Sequence, residues 1–183
     1  GVKIIGVGDR SGSVKNPHGI NPYALTKHLQ QGKSILEFPE AEPISDADLL
    51  TIPCTILVPA AIAQVITQEN APKIRCRILA EGANGPTTPE ANAILHENDV
   101  FIIPDVLCNA GGVTVSYFEW VQDIQRLTWS EQQVNRKLEE LMLNAFHRVY
   151  DLAQRRKLTM RTAALALGVE KVAKEKSLRG LYP

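Results

Sequence analysis

Strand-like apolar runs alternating with helix-like segments predict an α/β domain with a mostly parallel sheet. Two observations carry this, and a third locates the site. The runs Cys76-Arg77-Ile78-Leu79-Ala80 and Val100-Phe101-Ile102-Ile103-Pro104 read as strands, and Val2 to Val7 and Thr55 to Val58 share their character. From Gly111 onward the apolar periodicity becomes helical. Each of the first two runs leads into a turn rich in Asn and Gly: Asn84-Gly85-Pro86 and Asn109-Ala110-Gly111-Gly112. Ligands of open parallel sheets bind beyond the carboxyl ends of the strands. A neutral Asn there offers both donor and acceptor, and Gly allows close backbone approach. The paired turns suit a ligand bearing amide and hydroxyl groups, such as the nicotinamide end of a dinucleotide. Ordinary connecting loops have the same composition.

Taken in order, Val2 to Val7 is expected to be a buried strand ending at Gly8-Asp9. The glycines at 6, 8 and 12 are not a dinucleotide fingerprint: three residues separate the second from the third, and the first pair lies inside the strand. Asp9 sits where a dinucleotide-binding domain holds an acid for the adenosine ribose; it is equally suited to bond its own turn. Asn21-Pro22 caps a helix from about Tyr23 to Gln31. Residues 32–45 are expected as loop, with Ser45 starting a short helical turn. Thr55 to Val58 ends at Pro59-Ala60-Ala61, where small residues admit a flat ring or a packed helix. Thr87-Thr88-Pro89-Glu90 starts a helix to about Glu97. Ser130 and Gln133 form a capping box for a long helix bearing Val134, Leu138, Leu141, Ala145, Val149 and Leu152. A last helix is expected from about Met160 to Lys176.

Composition bounds the function. The 183 residues carry 20 basic and 20 acidic side chains, so no basic stripe argues for nucleic acid and no cationic face for a membrane. Cys54, Cys76 and Cys108 are odd in number and widely spaced, which fits reduced packing thiols in a cytoplasmic protein; a catalytic thiol stays open. The four histidines read as surface residues with no ligand-like pairing, and no metal site is expected. The chain opens at Gly1 inside a strand-like run, without an initiating Met, and is expected to be a piece of something longer.

The stretches EGANGPTTPEA and NAGGVTVSYFEW closely resemble signatures of the glutamate dehydrogenase branch of the amino-acid dehydrogenases. The resemblance continues through VGDRSGSV, NPHGINP, ILVPAA, ITQENAPKI, RTAALALGVEKV and RGLYP. It implies a Rossmann-like, doubly wound nucleotide-binding domain over residues 1–129, with a helical segment over 130–183. It also implies NAD, with NADP open because Arg10 and Ser11 could meet a 2′-phosphate. By position, Asp9 resembles the ribose-binding acid and Ala61 the alanine lining the adenosine side. Asn84 and Asn109 resemble the residues bonding the nicotinamide ribose and carboxamide. Val113 and Ser116 resemble substrate contacts, the hydroxyl donating to the glutamate side-chain carboxylate. The implied reaction is interconversion of L-glutamate with 2-oxoglutarate and ammonia, in a family whose members are often hexamers.

The pattern is broken in places. Thr55 replaces a usual Asp. The first strand with its Gly-rich turn, and the substrate domain that supplies the family's catalytic lysine and aspartate, have no counterpart here. The sheet is therefore expected to be incomplete, and the piece alone to bind dinucleotide poorly and catalyse nothing. Two other readings remain: a non-catalytic nucleotide-sensing or interaction module, and a sister dehydrogenase for leucine, phenylalanine or valine.

Overall fold

Apolar faces too short to bury alone must find partners, and the chain does this in two separate places. The computed structural model describes residues 1–180; Leu181, Tyr182 and Pro183, the end of the RGLYP match, lie outside the described residues. Two compact units result. The first takes residues 1–57, 66–77 and 88–99, the second 58–65, 78–87 and 100 onward.

In the first unit, β1 (Gly6–Asp9) and β2 (Gly12–Lys15) form an antiparallel hairpin pairing Val7 with Val14 and Asp9 with Gly12. After α1 (Pro22–Gln30), β3 (Glu42–Ile44) adds to β2, again antiparallel. Two expectations need correction here. The strand expected over Val2 to Val7 begins only at Gly6, and Val2 is exposed. It then reverses: Asp9 Oδ1 accepts the Ser11 N–H at 2.7 Å and hydroxyl at 2.6 Å, and Gly12, at φ +140°, closes a two-residue turn. Residues 32–45, expected as loop, hold β3 and a 3₁₀ turn at Ile35–Glu37 capped reciprocally by Ser34 and Glu37. Ile35 and Phe38 from that stretch join Val14, Ile20 and Leu25 in the unit's core.

The chain continues through α2 (Asp46–Thr51) and β4 (Cys54–Leu57). The side chain of Leu49 on α2 lies against β1. A Cβ at Gly6 or Gly8 would come within 2.7 Å of its methyl groups, so these glycines serve packing. Strand β5 (Cys76–Ala80) follows, then α3 (Pro89–Glu97), capped by Thr88 as its sequence predicts. One histidine departs from expectation: His28 is half-buried, edge-on to Phe38, with Nε2 at 2.9 Å from the Ser34 carbonyl.

In the second unit, the end of β5 runs parallel to β6 (Phe101–Ile103), with Ile78 opposite Phe101 and Ala80 opposite Ile103. The sheet's order is β4-β5-β6, and the α/β class holds. A short α4 (Asp105–Cys108) leads to α5 (Gly111–Gln125), α6 (Glu131–Arg156) and α7 (Met160–Arg179). The capping box of Ser130 and Gln133 is formed. Val149 and Ala153 of α6 meet Met160 and Ala163 of α7, with Leu107 of α4 completing a core under Phe101 and Ile103. Leu141, on the expected apolar stripe of α6, is exposed. Helices α5 and α6 end at Arg126 and Lys157, both left-handed at φ 52° and 53°. Among the described residues no helix is long and apolar enough to cross a membrane.

Candidate functional site

The site is built where β5 and β6 end in the second unit. Two turns, 59–64 and 82–85, meet there, and hydrogen bonds set their spacing. Ala83 N–H donates to the Pro59 carbonyl at 2.9 Å, and Gln64 N–H to the Gly85 carbonyl at 2.8 Å. Gly82 makes the approach feasible, since a Cβ there would stand 3.1 Å from that of Ala60. Gly85 adopts φ +56°, a conformation Asn-Gly turns supply at little cost. Together with α4 and the start of α5 these turns enclose a cleft of about 850 Å³ lined by Ala61, Ala63, Gly82, Ala83, Asn84, Val106, Asn109, Ala110 and Val113.

Four of the six residues singled out from the sequence thus line one cleft: Ala61, Asn84, Asn109 and Val113. Asn109 Nδ2 donates to Asn84 Oδ1 at 2.7 Å and reaches the Gly82 carbonyl at 3.4 Å. That bond uses the donor of one amide and the acceptor of the other. Asn84 Nδ2 and Asn109 Oδ1 remain, and among the described residues neither has a further partner. Together they leave one amide donor and one amide acceptor for a ligand bearing amide and hydroxyl groups.

Ser116 stands three residues beyond Val113 on α5, at a spacing that shares a helix face. It is exposed, and its hydroxyl makes no hydrogen bond among the described residues. Thr114, by contrast, bonds back to the Ala110 carbonyl at 2.8 Å. Asp9 belongs to the first unit. Its bonds to Ser11, hydroxyl first and backbone second, hold its carboxyl below the usual carboxylate range, so it is a charged, exposed group engaged in its own turn.

Sequence reasoning missed an ionic network behind the Asn turns. Glu81, fully buried, follows β5; Asp105 opens α4; Arg161 lies in the first turn of α7. Arg161 Nη2 lies 2.6 Å from both Glu81 oxygens, and Nη1 donates to Asp105 Oδ1 at 2.9 Å. Glu81 Oε2 also accepts the Asp105 N–H, and Asp105 Oδ2 accepts the Gly85 N–H, each at 2.8 Å. Burial raises the Asp105 carboxyl, but the N–H groups of Gly85 and Val106 and the Arg161 guanidinium outweigh it and leave it below the usual range. One signal was legible: a cation in a helix's first turn opposes the macrodipole and calls for anionic partners.

Burial raises the Cys54 and Cys108 thiols, the latter helped by the Glu81 charge, and burial pushes Cys76 up to about 11. Among the described residues no His, Cys, Asp and Glu cluster could hold a metal ion.

Comparison with known proteins places this architecture. The chain is 42% identical, over its whole length, to a glutamate dehydrogenase of Thermotoga maritima, covering 44% of that protein. It is 46% identical over 98% of its length to an NAD-specific glutamate dehydrogenase of Staphylococcus aureus, covering 43% of that protein. The crystal structure of hetero-hexameric glutamate dehydrogenase from Thermus thermophilus superposes on 99% of the chain with a TM-score of 0.89, at 28% identity and over 42% of its own chain. The chain therefore spans less than half the length of the curated relatives it matches. The family described as glutamate/leucine/phenylalanine/valine dehydrogenase matches residues 1–180, and the chain belongs to that family.

Proposed function

We propose that this chain forms the nicotinamide-binding side of an NAD-dependent glutamate dehydrogenase, which oxidatively deaminates L-glutamate to 2-oxoglutarate and ammonia. The supporting observation is the Asn84–Asn109 pair, whose remaining donor and acceptor suit the ribose hydroxyl and the carboxamide of a nicotinamide nucleoside, inside a cleft walled by alanines, Gly82 and two valines. A nicotinamide dinucleotide, when bound, supplies the hydride acceptor for oxidation of the substrate Cα. Asn109 would bond the carboxamide and Asn84 the adjoining ribose, so the ring's rotation is fixed by two side chains that also hold each other. Ala61 and Ala63 leave room for a flat group. Val113 excludes water from one side of the reacting carbon, which strengthens the polar contacts around it.

Ser116 supplies selectivity in this reading. Its exposed hydroxyl has a proton to give to a carboxylate, whereas an aliphatic residue would favour an apolar amino acid. Asp9 is the acid for the adenosine ribose by its place in the motif. Its charge disfavours a 2′-phosphate, and Ser11, committed to Asp9 at 2.6 Å, is less able to help bind one. NAD is accordingly the cofactor, as the name of the Staphylococcus aureus relative states for that protein. Residues 1–129 then form the dinucleotide-binding part and 130–183 the helical segment. No residue of the chain is assigned a proton transfer, and the 183-residue chain by itself is expected to be inactive.

The test is NADH formation by the full-length product of the encoding gene, with L-glutamate, L-leucine and L-phenylalanine as substrates. Glutamate should be the preferred substrate, and Ser116→Ala should lower its kcat/KM by about 100-fold with little change for leucine. Turnover of leucine or phenylalanine in preference to glutamate would assign the chain to a sister enzyme. Tight NADH binding without turnover would make it a sensing module.

A further inference from the structure

The two asparagines are held in register by each other and by their backbones, so whatever fixes those backbones fixes the spacing a ligand meets. Asn84 immediately precedes Gly85, whose N–H is held by Asp105 Oδ2. Asn109 closes the short helix that Asp105 opens, and its N–H donates to the Asp105 carbonyl at 3.1 Å. Both asparagines are thus one link from Asp105, and Asp105 is held in turn by Glu81 and Arg161. Arg161 reaches them from α7, 80 residues along the chain from Glu81.

The guanidinium does something no other side chain could do at that point. One nitrogen engages Glu81 while another engages Asp105, and the rigid fork sets the angle between the end of β5 and the start of α4. An ammonium could neutralise one acid but has no second arm in a fixed plane. The cation also occupies the first turn of α7, where the helix dipole disfavours it. Glu81 has no exposed surface, so the pairing is not a solvated accident of two long side chains.

We propose that Arg161 is a positioning residue for nicotinamide recognition: by clamping Glu81 and Asp105 it sets the spacing of the Asn84 and Asn109 amides. The proposal rests on the nicotinamide reading of the cleft and extends it to a residue that touches no ligand. It also makes the docking of α7 a determinant of cofactor affinity, since the clamp travels with that helix.

The experiment uses the full-length gene product and compares two ligands, NADH and ADP, the second lacking the nicotinamide nucleoside. Arg161→Lys keeps the charge and loses the fork. It should raise the Kd for NADH by about tenfold, leave that for ADP unchanged, and raise KM for NAD more than it lowers kcat. Equal weakening of both ligands would reveal a merely structural role and overturn the proposal, as would an unchanged NADH affinity. Should Arg161→Lys fail to fold, Asp105→Asn removes the same clamp from its other end and is read by the same two ligands. Asn109→Ala separates this from the underlying reading. If that change leaves NADH binding intact, the asparagines do not bind nicotinamide, and the assignment of the cleft falls whatever Arg161 does.

Discussion

The Asp9 turn and the Asn84–Asn109 cleft are both polar ends of strands, yet they are held by different means. The turn is self-contained: Asp9 bonds Ser11 two residues on, and Gly12 supplies the unusual torsion. The cleft is held from afar, by an ion network whose members come from the end of β5, the start of α4 and the first turn of α7. A local device fails locally when one residue changes. A network that includes a fully buried carboxylate fails as a unit, because removing one partner leaves a charge without compensation.

The sharpest way to break the comparison is Arg161→Ala. It strands the buried Glu81 and should cost about 3–5 kcal/mol of stability by denaturant unfolding; a loss below about 1 kcal/mol would put the network on a par with surface pairs. Acid comes next. The Asp105 carboxyl is depressed in the folded state, so its contribution is present above the ordinary carboxylate value of 3.8 and is lost as pH falls through and below it. Thermal unfolding followed from pH 6 to pH 3 should therefore show a stability loss that Asp105→Asn reduces. In the turn, Gly12→Ala places a Cβ 2.8 Å from a Leu36 methyl at a torsion alanine resists, and should cost about 1–2 kcal/mol. Asp9→Ala is the mildest: an exposed turn bond is lost, and the melting temperature should fall by about 2 °C or less. A larger drop than that of Arg161→Ala would invert the comparison.

The same contrast explains what could be read from the chain alone. Turn and cap chemistry acts over two to four residues, so Thr88 before Pro89, Ser130 with Gln133 and the two Asn-Gly turns were legible. The hairpin was missed because Val2 to Val7 has the apolar content of a buried strand, while the reversal is set by Asp9, Ser11 and Gly12 together. The segment 32–45 was missed because its burial comes from only Ile35 and Phe38, too few for a period. Of the nine residues lining the cleft, Asn84 and Asn109 were marked by turn chemistry and Ala61 and Val113 by the resemblance, while the others were not singled out. The network could not be read from the chain, since Glu81 and Arg161 meet only once α7 packs on β6 and α4.

The left-handed ends of α5 and α6 carry a consequence for engineering. Arg126 and Lys157 both sit where glycine is the natural terminator, so each side chain bears a torsional penalty that glycine would not. Replacing either with glycine should raise stability by up to about 1 kcal/mol, the relief of strain being partly offset by glycine's looser unfolded chain. Neither residue lines the cleft. The two helix ends are therefore places where the protein can be made more durable without altering the lining of the candidate cleft.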